Sequence, residues 1–113
     1  MDAKIIDVGV DFYHRLANRD PYQGDGKYHA VDFRHKYLSE LDNEQAWKTH
    51  DAFIQLDFSN VKKIGPSFAN EAFGYFTKYA TPKQILNKII FKNIKKVSLM
   101  IIEEELEAGY KKK

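Results

Sequence analysis

The segment from Ala52 to Ala80, AFIQLDFSNVKKIGPSFANEAFGYFTKYA, constrains the fold of this chain more than any other. It is an apolar run, then a polar loop closed by Gly65-Pro66, then apolar residues at helical spacing. Residues 52–58 are rich in strand formers, with Ile54, Leu56 and Phe58 on one face and Phe53 on the other. That pattern predicts an inner, parallel strand covered on both sides. Asp57 falls at its carboxyl end, where open α/β sheets gather ligands. There it serves either a site or a brace that accepts backbone N–H groups of the loop. Pro66 lacks a backbone donor and disfavours a helical Gly65. A helix is therefore expected to open at Ser67 as its N-cap, with Asn70 and Glu71 in the first turn. Its apolar face comprises Ala69, Ala72, Phe73, Phe76 and Ala80, its aromatic flank Phe68, Tyr75 and Tyr79, and its polar side Asn70, Gly74 and Lys78. Gly74 lowers helix propensity by about 1 kcal/mol relative to Ala. It is either a tolerated glycine or the mark of a close backbone approach.

Upstream, residues 4–10 read as a first strand, and residues 11–16 continue it or pair back as a second one. Residues 17–27, ANRDPYQGDGK, form a loop by composition. Within it Gly24, Asp25 and Gly26 allow a tight turn, flanked by Arg19 and Lys27 and followed by a helix. Such a loop is either an ordinary turn or a backbone cradle for an anion. Residues 29–41 read as that helix, with Ala30, Phe33, Tyr37, Leu38 and Leu41 on one face. Arg34 lies inside this apolar arc and so needs a carboxylate or a site; Asp57, Asp25 and Glu71 are its expected partners.

Downstream, residues 42–51 are a polar connection carrying the lone Trp47. Thr81-Pro82 ends the central helix, and Pro82 opens a short further turn. Residues 87–91 read as a strand, Asn93 as a cap, and residues 95–110 as a helix with Gly109 at its C-cap. The alternation predicts an α/β fold: one domain over residues 1–113, with a mostly parallel sheet and helices packed on it.

Composition narrows the function classes. A net charge of +2 is no nucleic-acid signature, although Lys111 to Lys113 make a small basic tail. The chain has no cysteine, hence no disulfide, thiolate metal site or cysteine nucleophile. His14, His29, His35 and His50 lack metal-ligand spacing, so no metal or other cofactor is expected. No apolar run approaches membrane-span length and no signal peptide opens the chain, which makes the cytoplasm the expected compartment. No base sits near Ser67 in sequence and no nucleophile elbow exists, so no catalytic residue is assigned.

The run Leu56-Asp57-Phe58-Ser59-x-Val61-x-x-Ile64-Gly65-Pro66-Ser67-Phe68 resembles the central segment of STAS domains, the sulfate-transporter and anti-sigma-factor-antagonist superfamily. It is more similar to a bacterial STAS-like family of uncharacterised function. Asp57-Phe58, Val61, Ser67-Phe68, Glu71 and Phe73-Gly74 match that family's pattern in register, and Arg19, the Gly24–Gly26 loop and Phe33-Arg34 resemble its upstream features. The resemblance implies a small STAS-like α/β fold with a mostly parallel sheet of four to five strands. It places Ser67 on the serine that regulatory STAS proteins present to a partner kinase. Here Gly65, Pro66 and Phe68 replace the acidic residue, the first serine and the glycine of that motif.

The leading expectation is therefore a non-enzymatic regulatory, protein-binding module. By resemblance, its partner is a histidine-kinase-type ATPase acting as a serine kinase. Its switch surface contains Ser67, Asp57, Ser59, Phe68 and Glu71. The alternative is a small anion- or nucleotide-binding domain using Arg19, Gly24, Asp25, Gly26, Lys27 and Arg34. Neither nucleic acid nor membrane is an expected partner, and a homodimer stays open.

Overall fold

A computed structural model describes residues 3–19 and 28–111. Among the described residues the fold is α/β, with five strands, all in parallel pairs, and five α-helices. In chain order these are β1 (Lys4–Asp7), α1 (Val8–Asp11), β2 (Arg15–Leu16), α2 (Ala30–Tyr37), β3 (Ile54–Asp57), β4 (Lys63–Ile64), α3 (Pro66–Ala72), α4 (Pro82–Lys88), β5 (Ile89–Lys92) and α5 (Lys96–Lys111). The strands divide into two sheets, β1-β3-β5 and β2-β4, rather than forming the single sheet expected. The first strand stops at Asp7 because the Asp7 carboxylate accepts from Val10 N–H and caps the turn of α1. The chain then re-enters extended structure at Arg15–Leu16, beside Lys63–Ile64 in the loop that follows β3.

In the main sheet β3 is central, with Asp7, Asp57 and Lys92 aligned at the carboxyl ends. The order steps in one direction, β1 to β3 to β5, and right-handed crossovers stepping one way place their helices on one face. Burial agrees: Ile54, Leu56 and Ile89 are buried. On the opposite face Gln55 and Ile90 are half-buried, and Ile5, their neighbour in register, is 70% exposed. The second face of β3 is thus less covered than the sequence pattern suggests. With no reversal of strand order, the three-stranded sheet also has no switch-point crevice at Asp57.

The core is aromatic. Phe33 and Phe68 pack at 5.6 Å between ring centres, Phe73 and Phe91 at 5.1 Å, and Trp47 on Phe76 at 5.7 Å. Trp47 is buried and its indole donates to the Leu41 carbonyl at 2.8 Å. Helix α2 begins one residue after its cap, His29, and ends at Tyr37, giving way to a 3₁₀ turn over Ser39–Leu41.

Helix α3 ends at Ala72, well before Ala80, and Gly74–Lys78 continues as a 3₁₀ segment. The cause is packing against α5. Gly74 is buried, and a Cβ there would sit 3.3 Å from the Glu105 carbonyl. A Cβ at Gly109 would sit 3.3 Å from the Gly74 carbonyl and 3.1 Å from Thr77 Oγ1. Thr77 Oγ1 in turn donates to the Gly74 carbonyl at 2.7 Å, competing with the α-helical ladder. Gly74 therefore marks a close backbone approach. Gly109 lies inside α5 rather than capping it, because this contact leaves no room for a side chain.

Pro82 opens α4, a full helix rather than a short turn, through a Thr81–Gln84 capping box. Asn93 is not a helix cap: it turns the chain after β5 with φ at 52°, three residues ahead of α5.

Candidate functional site

The loop that leaves β3 presents several exposed residues at the carboxyl end of the sheet. Ser59, Asn60, Lys62, Lys63 and Pro66 are exposed, while Val61 and Ile64 are buried and pin it down. Asp57 braces its start: Oδ1 accepts from Ser59 N–H at 2.9 Å and from Asn93 Nδ2 at 3.2 Å. The Ser59 bonds and then the Asn93 amide hold the Asp57 carboxyl below its ordinary value. Asn60 Nδ2 donates to Asp7 Oδ2 at 2.8 Å, and the Asn60 carbonyl rests on Gly9, where no Cβ fits. Lys62 N–H donates to the His14 carbonyl at 2.7 Å, Gly65 N–H to the Leu16 carbonyl at 2.8 Å, and Lys95 Nζ to the Lys62 carbonyl at 3.3 Å. The loop is thus hydrogen-bonded to its surroundings at Ser59, Asn60, Lys62 and Gly65.

Helix α3 starts earlier than expected. Gly65 is the N-cap, extended at φ −101° and ψ 161°, and Pro66 takes the first helical position. A residue before proline is driven to extended structure, and proline suits that first position because its missing N–H has no partner there anyway. Ser67 is consequently the second helical residue, half-buried, and no side chain caps the helix. Its hydroxyl is thus not the helix cap that the sequence suggested. Phe68 is fully buried against Phe12 and Phe33, so it belongs to the core and not to a partner surface.

Behind this surface the charged residues converge on one carboxylate. Arg34, 7% exposed, donates through Nη2 to Glu71 Oε2 at 2.9 Å and through Nε to the Glu71 carbonyl at 3.2 Å. Arg19 Nη1 lies 3.6 Å from Glu71 Oε1 and donates to Asn70 Oδ1 at 3.2 Å. The Arg34 guanidinium also lies over the Tyr75 ring at 3.7 Å. Tyr75 and Tyr79 hydroxyls both donate to Asp42, at 3.0 Å and 2.7 Å, and Lys78 Nζ donates to the Tyr75 oxygen at 3.0 Å. The Tyr79 bond holds the Asp42 carboxyl below its usual range and raises the Tyr79 phenol to about 12. Of Arg34's three expected partners, Glu71 is the one it reaches; Asp57 is held by the loop, and Asp25 lies outside the described residues.

The anion reading fares accordingly. Gly24, Asp25, Gly26 and Lys27 lie outside the described residues, and the two arginines are brought together by Glu71, which already supplies their anion. This is the arrangement of a structural ion-pair network tying α2 to α3. Among the described residues no three His, Asp or Glu side chains gather as metal ligands.

Sequence reasoning missed Asp42, the acceptor of both tyrosines, and the cations around the loop. Lys62, Lys63, Lys92, Lys95 and Lys96 are all exposed near its edge, beside Val97 and Met100 at 63% and 47% exposure. These residues come from two segments that are distant in sequence, so no linear charge run announced them. Among the described residues, no helix is long and apolar enough to cross a membrane.

Compared with known proteins, residues 29–99, well over half of the chain, match the family model described as a STAS-like domain of unknown function (DUF4325). The match contains Arg34, Asp57, Ser59, Ser67, Phe68 and Glu71, whereas Arg19 and the Gly24–Lys27 loop precede it. No curated protein and no solved structure matches the chain.

Proposed function

The chain belongs to the STAS-like domain family, and we propose that it acts there as a non-enzymatic regulatory module that binds a protein partner through the Ser59–Ser67 loop. The observation that carries this reading is the combination of exposure and hydrogen bonding to neighbouring elements in that loop. A pre-ordered surface loses little conformational entropy on binding, which favours recognition. The exposed Val97 and Met100 supply apolar area for a protein contact, and the neighbouring lysines a charged rim that favours an acidic partner surface.

The proposed partner is a histidine-kinase-type ATPase that acts as a serine kinase in the cytoplasm, and the proposed switch is Ser67. A phosphate there adds up to about two negative charges, next to Gly65-Pro66 and close to the basic loop. That changes the partner surface without disturbing the Phe68 core beneath it. Glu71 and Arg34 are positioning residues in this scheme: they fix α3 against α2 and so hold the Ser67 turn in place.

The test is affinity capture from the native host with wild type and Ser67→Glu, read by mass spectrometry, with the Ser67 peptide searched for a phosphate mass increment. Recovery of an ATPase with wild type, its loss with Ser67→Glu, and phosphate on Ser67 are expected. Capture of the same ATPase by both forms removes Ser67 as the switch. Absence of any ATPase with either form overturns the partner assignment.

A further inference from the structure

At the amino ends of the strands, opposite the Ser59–Ser67 loop, Lys88 is 5% exposed. Lysine is almost never fully buried unless it is paired. Its ammonium donates to Thr49 Oγ1 at 2.6 Å, and among the described residues no carboxylate lies within 4.0 Å of it. A lysine this buried, held by one neutral acceptor, is short of hydrogen-bond partners. Lys88 and Thr49 are both among the residues that line a cavity of about 350 Å³, together with Phe53, Asp51, Lys4 and Glu40. Lys4 and Glu40 are paired to each other at 3.7 Å at the exposed side, with side chains 63% and 66% accessible. The volume is in the range of small-molecule sites.

We propose that this cavity binds a small monocarboxylate with a short apolar tail. Its carboxylate would be held by the Lys88 ammonium and the Thr49 hydroxyl, and its tail would lie on Phe53. Among the described residues the Lys88 ammonium has no carboxylate within 4.0 Å, and the ligand supplies one. A dianion such as phosphate would bring a second negative charge into a cavity that already holds the Asp51 and Glu40 carboxylates. Lysine contributes a single point charge rather than a planar fork, which suits a monoanion. Thr49 supplies the second donor, its hydroxyl being free to rotate.

Butyrate and inorganic phosphate, titrated separately into the full chain at constant ionic strength and followed by amide NMR, test the assignment. Butyrate is expected to give saturable shifts at Thr49 to Phe53 and at Lys88, and to raise the thermal midpoint. Phosphate is expected to give none. Lys88→Met should weaken butyrate binding roughly tenfold or more, by removing the charge-assisted bond, while melting at or above wild type in the absence of butyrate. Thr49→Val keeps the ammonium, is expected to weaken binding several-fold, and decides the matter if Lys88→Met does not fold. Non-saturable shifts with butyrate overturn the proposal. So does unchanged affinity in both variants, or saturable binding of phosphate at the same residues.

Discussion

Arg34 holds Glu71 twice, by the side-chain carboxylate at 2.9 Å and by the main-chain carbonyl at 3.2 Å. One residue of α2 thereby fixes both the position and the rotamer of one residue of α3. Removing the arginine takes both bonds from Glu71, 21% accessible, and leaves Arg19 at 3.6 Å as its cation. Arg34→Met is expected to lower unfolding free energy by about 1–3 kcal/mol, since two bonds to a partly buried residue are lost while Arg19 still faces its carboxylate. Arg34→Lys should recover only part of that, because it cannot serve carboxylate, carbonyl and the Tyr75 ring together. Urea denaturation of the three proteins gives the values; a loss below about 1 kcal/mol for Arg34→Met would reduce the pair to the worth of a surface contact.

The Tyr79 phenol, raised to about 12 from 10.0 by its bond to Asp42, predicts a delayed titration. The neutral phenol is the donor, so this contact stabilises the fold fully below pH 10.0 and is lost as pH climbs through about 12. Ultraviolet phenolate titration should show one tyrosine ionising late, and Asp42→Asn should return it toward the ordinary value. An unchanged late component in Asp42→Asn would assign the shift to another group.

Two glycines are predicted to resist replacement despite alanine's better propensity. Gly109→Ala gains about 1 kcal/mol of helix propensity but drives a methyl toward Thr77 Oγ1 and the Gly74 carbonyl, at 3.1 and 3.3 Å. The expected net outcome is destabilisation, of the order of 1 kcal/mol. Gly9→Ala overlaps the Asn60 backbone outright and should cost about 1–3 kcal/mol or more, with the loop displaced. Thermal melts of both rank them; a stabilised Gly9→Ala would contradict the contact.

Asp57 is predicted to govern the stiffness of the loop rather than the stability of the domain. Its carboxyl titrates below the usual 3.8 because the folded state bonds its ionised form. The brace is therefore complete above pH 3.8 and lost as pH falls through the lower folded value. Asp57→Ala should speed hydrogen exchange at the Ser59 amide while leaving the core amides of Leu56 and Ile89 protected. Equal acceleration in the core would make Asp57 a determinant of the whole fold.

Local chemistry in the sequence determined the alternation of elements, the apolar face of β3, the stop at Gly65-Pro66 and the need of Arg34 for an acid. Each depends on residues within a few positions of one another: alternation along a strand, periodicity along a helix, the missing N–H of proline. The same local rules misplaced the cap at Ser67, because an N-cap preference was weighed without proline's fitness for the first helical position. Gly74 carried a readable signal, whereas Gly109 was assigned the commoner capping role, since nothing nearby in sequence shows two backbones meeting. Tertiary structure alone selected Glu71 over Asp57 for Arg34, a choice between residues 37 and 23 positions away that depends on how α2 and α3 dock. It alone split the strands into two sheets, withdrew Phe68 from the surface, gathered lysines from two segments around the loop, and buried the Lys88 ammonium beside Thr49. These are decisions about which distant groups share a small volume, and they follow from close packing of the whole chain rather than from any stretch of it.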